Sequence, residues 1–504
     1  MLELKDINIR MKRADRQLAE DFSFTLERGD KAVIIGEEGN GKSTLLKFLY
    51  DRRLVEPYCE CSGTVIARGR LAYLPQMMDD ALNETTIANY FEGTDRYSHL
   101  DLLFRFGIAL EDLSSSQTLG TLSGGEKVKI QLCRLLMDDP DILLLDEPTN
   151  DLDIDTLEWL EAFLSSTRLP VLFISHDETL IENTANVIIH MEQLIRKTKC
   201  RITVTRAGYR EYLTRRRQEF AHQDQVARKQ RDEYDAQMRR WRQIHDRVEH
   251  EQRTLTRQDP HGGRLLKKKM HSVLATGKRL EREREQFLDF SEEEDAIITR
   301  FDSDILIPSG KVILDYSLDR LSVAGRDLSK DLRLLVAGPA IVGITGKNGA
   351  GKSTLLRLLW ENLRQRRDIS AAYMPQDYAE VLDYTQTPVE HLAAHYTKDE
   401  ITRARTFMGN MRFTHGEMTG PIGQLSGGQR AKLLFLDMVL KRADVLLLDE
   451  PTRNFSPLSA PVVRRALRSF GGAIISISHD RKYLAEVCDV IYELKPDGLY
   501  RIAW

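Results

Sequence analysis

Two stretches of this 504-residue chain carry the pattern Gly-x4-Gly-Lys-Ser. The first is Gly36-Glu37-Glu38-Gly39-Asn40-Gly41-Lys42-Ser43, with Thr44 behind it. The second is Gly346-Lys347-Asn348-Gly349-Ala350-Gly351-Lys352-Ser353, with Thr354 behind it. Glycines at this spacing let successive backbone N–H groups turn inward on phosphate oxygens, and a following helix N-terminus adds positive potential. Lys42 and Lys352 would neutralise β- and γ-phosphate charge, while the Ser43 and Ser353 hydroxyls would sit on Mg²⁺.

Downstream of each loop an apolar run ends in Asp-Glu-Pro-Thr, at Asp146-Glu147-Pro148-Thr149 and Asp449-Glu450-Pro451-Thr452. Asp146 and Asp449, at strand ends, can hold the Mg²⁺ shell; Glu147 and Glu450 are the candidates to polarise an attacking water. His176 and His479, in Ser175-His176-Asp177 and Ser478-His479-Asp480, each follow another apolar strand and join the catalytic set. Gln76 and Gln376, in Leu74-Pro75-Gln76 and Met374-Pro375-Gln376, would complete the metal and water shell. A lone Asp-Glu pair or a lone histidine at such a place would be read as a helix start or a core residue. Behind a phosphate loop, and twice in the same order, the catalytic reading prevails.

One motif needs a different explanation. Ser123-Gly124-Gly125-Glu126 and Ser426-Gly427-Gly428-Gln429, each preceded by leucine, offer hydroxyl and backbone donors at a helix start, an anion site. Each copy's phosphate loop already serves its own nucleotide. The second anion site therefore makes sense only against the nucleotide held by the other copy.

These motifs recur in one order at offsets of 300 to 310 residues, the last three at 303, which marks a duplicated domain rather than a solenoid. Within each copy, short apolar runs read as strands covered on both faces: Lys31 to Ile35, Asp141 to Leu145 and Val171 to Ile174, then Ile341 to Ile344, Val445 to Leu448 and Ala473 to Ile477. A helix opens after the first glycine turn, through Thr44 to Leu49. Strand, glycine loop, helix and further strands predict a parallel α/β core in each copy.

Between the copies the pattern changes. From about Tyr209 to Arg257 the apolar residues Leu213, Phe220, Val226, Tyr234, Met238, Trp241, Ile244, Val248 and Leu255 stand mostly three, four or seven apart, as on a helix with one apolar seam. Asp259-Pro260-His261-Gly262-Gly263 breaks the pattern. Leu266, Met270, Val273, Leu280 and Phe287 mark a second helix. The predicted organisation is a first α/β domain over 1–200, a helical hairpin over 201–300 and a second α/β domain over 301–504. Between residues 205 and 290 there are 22 Lys+Arg against 14 Asp+Glu, a balance of +8 inside a chain of net −4. A basic middle between acidic flanks implies a polyanionic partner for the middle. The densest cluster, Arg257, Arg264, Lys267, Lys268 and Lys269, surrounds the break.

With 41% hydrophobic and 30% charged residues the chain is globular rather than disordered, and no apolar run approaches a membrane span. Met1-Leu2-Glu3-Leu4-Lys5-Asp6 has neither signal-peptide nor transit-peptide character, which points to the cytosol. The five cysteines form no Cys-x-x-Cys pair, so Cys59 and Cys61 read as reduced thiols rather than zinc ligands.

Phosphate loop, glutamine, Leu-Ser-Gly-Gly motif, Asp-Glu strand end and histidine, twice in order, resemble the ATP-binding cassette superfamily. Two cassettes with a charged helical linker and no membrane segment resemble its ABC-F subfamily of ribosome-associated ATPases. The resemblance implies ATP and Mg²⁺ as ligands, two ATPs sandwiched head to tail within one chain, and a monomer. It further implies a linker reaching from the E site of the 70S ribosome toward P-site tRNA and the peptidyl-transferase centre, so the polyanion is RNA, not DNA. Thr149-Asn150-Asp151-Leu152-Asp153 is near the family's usual loop, whereas Thr452-Arg453-Asn454-Phe455-Ser456-Pro457 places Ser456 where Asp153 would repeat. This departure resembles the Lsa and Vga antibiotic-resistance branch, which protects ribosomes from lincosamides, pleuromutilins and streptogramin A. Ser456 is expected near the nucleotide on Lys352, making the two sites unequal. The stretch between Ser43 and Gln76 is too short for the arm subdomain of housekeeping members. Arg10-Met11 stands where an adenine-stacking aromatic would lie, which implies loose base selectivity. Three other readings stay open: a housekeeping ABC-F factor for stalled ribosomes, the ATPase pair of a transporter, which would need a membrane partner, and a two-cassette DNA-repair ATPase, whose usual zinc modules are missing.

Overall fold

A computed structural model of the chain describes residues 1–12, 16–95, 97–109, 111–194, 199–254, 260–285, 287, 307–323, 325–393, 395 and 397–504. The chain forms two compact units: Met1–Tyr209 with Glu294–Trp504, and Arg210–Glu293. The first unit holds both α/β domains.

Each domain is built on a six-stranded sheet. In the first the order is Leu71–Leu74, Ile142–Asp146, Val171–Ile174, Lys31–Ile35, Val187–Leu194, Lys199–Thr205. In the second it is Ala371–Met374, Val445–Asp449, Ala473–Ile477, Ile341–Thr345, Val490–Lys495, Gly498–Ile502. Neighbours pair in parallel except at the last edge, where Lys199–Thr205 and Gly498–Ile502 run antiparallel. The central strands are buried along their whole length, which is why they read as unbroken apolar runs. The domain boundary expected at residue 200 falls inside the edge strand Lys199–Thr205; the compact unit continues to Tyr209.

A second layer escaped the sequence reading. Leu2–Met11 pairs antiparallel with Arg16–Leu26 and with Cys59–Ala67, while Val312–Val323 pairs with Arg326–Ala337. Leu2, Leu4, Ile7 and Ile9 face the core, and the alternation slips between Lys5 and Asn8, where Asp6 takes φ 51°. That bulge interrupts the period-two signal. All five cysteines are free thiols.

The two domains lock together through a buried ion cluster. The Arg464 guanidinium, 3% exposed, donates to Glu178 Oε1 of the first domain at 2.6 Å and to Glu486 Oε2 at 2.7 Å. Arg481 pairs with Glu161 at 2.8 Å, and Lys482 with Glu182 at 2.8 Å. All three cations come from the second domain, and Glu161, Glu178 and Glu182 come from the first.

The helical unit contains Tyr209–Thr254, whose first residue belongs to the other unit, and Pro260–Glu285. At 1.5 Å per residue these helices are about 70 Å and 40 Å long. The second helix starts at Pro260 rather than after Gly263: proline at a first helical position loses no hydrogen bond, so the expected break is shorter than its composition suggests. Leu255, Arg257 and Asp259, assigned to that break, lie outside the described residues. The seam closes where the Trp241 indole N–H donates to the Val273 carbonyl at 2.7 Å and its ring lies on Gly277; a Cβ there would stand 3.0 Å from the ring. Ala227, Val248, Leu266 and Leu280 are buried, whereas Ile244, expected in the seam, is exposed. No helix among the described residues is long and apolar enough to cross a membrane.

Removing Arg464 would leave the buried Glu178 carboxylate with Lys482, 3.3 Å away, as its remaining cation among the described residues. Arg464→Met is therefore expected to lower unfolding stability by about 3–5 kcal/mol, and Glu178→Gln added to it should restore part of the loss. Denaturant unfolding of the single and double variants measures both.

Candidate functional site

Each glycine loop lies between a buried strand and a helix, Lys42–Tyr50 in one domain and Lys352–Leu363 in the other. Gly36 and Gly346 take φ 145° and 141°, and a Cβ at either would fall 2.3 Å from the Met191 carbonyl or 2.7 Å from that of Leu494. No other residue fits. The lysines fold back over their loops: Lys42 Nζ donates to the Gly36 and Glu37 carbonyls at 2.8 and 3.2 Å, and Lys352 Nζ to Gly346 and Lys347 at 2.8 and 3.0 Å. Burial pulls both ammonium groups below their ordinary value, with neighbouring carboxylates opposing.

The Asp-Glu pairs lie where the sequence puts them, at the ends of Ile142–Asp146 and Val445–Asp449. Glu147 and Glu450 then turn through the left-handed region, at φ 51° and 52°. In the first domain Ser43 Oγ donates to Asp146 Oδ1 at 2.8 Å and the Tyr73 hydroxyl to Oδ2 at 3.0 Å. Tyr73 was missed, although its recurrence as Tyr373 ahead of the second Pro-Gln was a usable signal. Glu147 Oε1 lies 2.9 Å from His176 Nε2, and His176 Nδ1 lies 2.8 Å from the Phe455 carbonyl of the second domain. In the second domain His479 Nε2 is 3.9 Å from Glu450 Oε1, and Ser353 hydrogen-bonds Asp449.

The two carboxyl pairs differ electrostatically. Burial pushes Glu147 up, but the charge and hydrogen bond of His176 and the charge of Lys42 outweigh it and hold Glu147 below its ordinary value. At Glu450, burial followed by the Asp449 charge outweighs the His479 backbone hydrogen bond and the Lys352 charge and drives it well above the usual carboxylate range. Burial and Lys352 pull His479 down to about 3.

A cavity of about 440 Å³ lies at the second loop, lined by Lys352, Ser353, Asp449, Glu450 and His479, and by Asn150, Asp151 and Leu152 from the first domain. Asn348 Nδ2 donates to the Asp151 carbonyl at 2.5 Å, and Arg453 pairs with the Asp151 carboxylate at 2.9 Å. Nothing in the sequence flagged Arg453. Gln376 lines this cavity and reaches Asp151 at 3.4 Å, whereas Gln76 is exposed and lines neither pocket. Val323 and Leu328 close one side, and among the described residues no Phe, Tyr or Trp lines it. The pocket at the first loop is about 20 Å³, bounded by Glu37 and Glu38 on one side and Ser426, Gly428, Lys432 and Ser456 on the other. Ser456 thus lies at the Lys42 loop, not near Lys352 as expected: the loop begun at Glu450 crosses to the opposite domain. Its hydroxyl accepts from Ser459 N at 3.1 Å, as Asp153 accepts from Thr156 N at 3.1 Å, but Asp153 caps the helix Ile154–Ser166 whereas Ser456 closes only a turn ahead of Ala460–Arg468, so both the helix cap and the charge are lost.

The Leu-Ser-Gly-Gly motifs begin helices Gly124–Leu136 and Gly427–Leu440. Glu126 and Gln429, expected on the phosphate side, close capping boxes on Ser123 and Ser426. Gly428 faces Glu38 of the first domain's phosphate loop, whereas Gly124 packs against Asp151 of its own domain, the residue whose carbonyl accepts from Asn348 of the second loop.

The donors fit a nucleotide with Mg²⁺. Asp449 Oδ2, Glu450 Oε1 and His479 Nδ1 are buried without hydrogen-bond partners among the described residues, an arrangement that a hard cation, its water and a phosphate would satisfy.

The sequence profile of the ABC transporter family matches residues 19–150 and 329–453, half of the chain. The chain belongs to this family. Its two α/β domains are therefore ATP-binding cassettes, and the Leu-Ser-Gly-Gly motifs are their signatures. Among curated proteins it is similar to ABC transporter F family member 5 of Arabidopsis thaliana, at 25% identity over 97% of this chain and 74% of that protein. It is similar to the ATP-binding protein Uup of Escherichia coli K12 at 27%, over 94% and 77%. The ribosome protection protein VmlR of Bacillus subtilis 168 matches at 26%, over 98% and 86%. Among solved structures, an archaeal ribosome recycling factor, aABCE1, shares the fold with a TM-score of 0.59 at 16% identity, covering 99% of this chain and 90% of that one.

The cassettes' carboxyls should titrate apart. In infrared pH titration, the protonated-carboxyl band deleted by Glu450→Gln should persist above the usual range of about pH 4 to 5, while that deleted by Glu147→Gln should vanish below it.

Proposed function

We propose that this chain is an ATP-hydrolysing ABC-F protein of the cytoplasm that binds the ribosome and protects it from lincosamides, pleuromutilins and streptogramin A. The carrying observation is the pairing of two cassettes, the second signature lying against the first phosphate loop through Gly428 and Glu38 and the first cassette's Asp151 lying against the second loop through Asn348, in a chain that also holds a basic helical hairpin. The relative VmlR is named a ribosome protection protein, and aABCE1 a ribosome recycling factor.

Mg²⁺ bound with ATP would supply positive charge against the phosphate oxygens, held by Ser43 and Asp146 in one cassette and Ser353 and Asp449 in the other. Lys42 and Lys352 would leave their loop carbonyls for phosphate oxygens. Glu147 would take a proton from the attacking water at a carboxylate oxygen, and Glu450 would do so once ionised, with the left-handed turn fixing the aim of both. His176, bridging Glu147 and the Phe455 carbonyl, would make one cassette's carboxylate sensitive to the position of the other. Arg264, Lys267, Lys268 and Lys269 are exposed on the second hairpin helix and would meet RNA phosphates near P-site tRNA.

A housekeeping role on stalled ribosomes is the second reading. It stays open because Uup and F family member 5, whose names carry no protective role, match at nearly the same identity as VmlR. Deletion separates them: altered drug sensitivity supports protection, and altered growth alone supports housekeeping.

Glu147→Gln with Glu450→Gln should keep ATP binding, lower hydrolysis by about a hundredfold or more, and trap the protein on ribosomes with translation inhibited. Undiminished turnover in the purified double variant would show the carboxylates wrongly assigned. Replacing Lys267, Lys268 and Lys269 with alanine should weaken ribosome pelleting and reduce its salt slope by up to about three, while ATP hydrolysis persists. A salt slope identical to the parent's would remove these lysines from the RNA contact.

A further inference from the structure

The duplication makes the two phosphate loops superposable residue for residue, and they differ most in charge. Glu37 and Glu38 of the first cassette stand where the second has Lys347 and Asn348. Their surroundings differ accordingly. Asn348 reaches the Asp151 carbonyl, and the large cavity lies beside it. Glu38 instead crosses to the other cassette, where its Oε2 accepts the Gly428 N–H at 2.5 Å. A Cβ on Gly427 would stand 3.0 and 3.1 Å from the two Glu38 oxygens, so the whole carboxylate lies against the signature backbone. Glu37 adds an ion pair, 3.6 Å from Lys432 Nζ, whose counterpart Lys129 in the first cassette stands over the Trp159 ring instead.

Gly428 is the second residue of the helix Gly427–Leu440, so its N–H has no partner inside the helix. Ser426 caps Gln429 and leaves that donor to Glu38. The helix terminus attracts any anion presented to it, and here the anion belongs to the opposing phosphate loop. In the second site, among the described residues, no carboxylate of the loop that carries Lys352 meets Gly125.

We propose that Glu38 is an internal phosphate surrogate: its carboxylate holds the second signature, and the nucleotide on Lys42 must displace it. Glu37 reinforces the latch through Lys432. The first site is therefore gated and binds ATP more weakly than the second. Glu38 is exposed along much of its length, so release needs only a side-chain rotation. The inference rests on the ATP-binding reading of the Lys42 loop for the competition, and on the contact alone for the latch.

Two measurements on the full chain separate these parts. In hydrogen exchange without nucleotide, Glu38→Ala should speed exchange of the peptide holding residues 425–430 by about fivefold or more, as expected for losing a charge-assisted hydrogen bond. Unchanged exchange there would overturn the latch, whatever the protein binds. ATP affinity of the first site is then read by fluorescent-nucleotide titration in a Lys352→Ala background, which disables the second loop. Glu38→Asn, which installs the residue of the second loop, should tighten ATP binding by about fivefold or more at low salt, with a smaller gain at high salt. Unchanged or weaker binding overturns the competition. A wild-type chain that binds no ATP sinks the ATPase reading and the competition with it, while the exchange result still decides the latch.

Discussion

Both sites depend on a left-handed turn taken by a glutamate. A non-glycine residue in this region costs about 1–2 kcal/mol, and both cassettes accept that cost at the first residue beyond a buried strand. The turn survives because its backbone is tied on both sides. Glu147 N donates to Ile174 O at 3.1 Å and Glu450 N to Ile477 O at 2.9 Å, while the loop folds back through Asn150 N to Glu147 O and Arg453 N to Glu450 O. Without the turn the chain would continue past the sheet. With it, each carboxylate stays at its own phosphate loop while the following residues cross to the other cassette. Asp151 then meets Asn348, and the Phe455 carbonyl meets His176.

From that shared geometry the two sites diverge by charge. The first has an acidic loop, a glutamate engaged by histidine, and Ser456 arriving from the opposite cassette. The second has a basic loop, a glutamate beside Asp449 that is held by the His479 backbone rather than by its ring, and Asp153 arriving from opposite; the Asp153 charge acts on both Lys352 and His479. Backbone conformation is duplicated almost unchanged, including the capping boxes and the positive-φ glycines of both loops. Side-chain electrostatics is not. Such a pair can bind nucleotide unequally without any change of fold.

The hairpin follows other rules. Its long helix carries few buried side chains, and pairs four residues apart such as Lys229 with Glu233 and Arg253 with Glu249 contribute only tenths of a kcal/mol each. Its definition comes from a few close approaches, above all Trp241 on Gly277, where the missing Cβ lets the indole reach the opposite backbone. The remaining surface is left to charge.

Motif order, the duplication, the buried strands and the helical middle were all legible from residue type and spacing, because each is a local property. A strand covered on both faces must be apolar throughout, and a phosphate loop must have glycine where a side chain would strike Met191 O or Leu494 O. The antiparallel layer was hidden because its strands alternate imperfectly around a bulge at Asp6. The capping role of Glu126 and Gln429 was not legible because a capping box and an anion site share the same residues at a helix start. Which loop Ser456 joins, that Arg453 enters the second cavity, and that Glu38 rests on Gly428 are contacts between residues tens to hundreds of positions apart. Sequence alone determined which groups the chain owns; the packing of one cassette on the other decided which of them meet, because a side chain's charge acts through distances that only the folded chain sets.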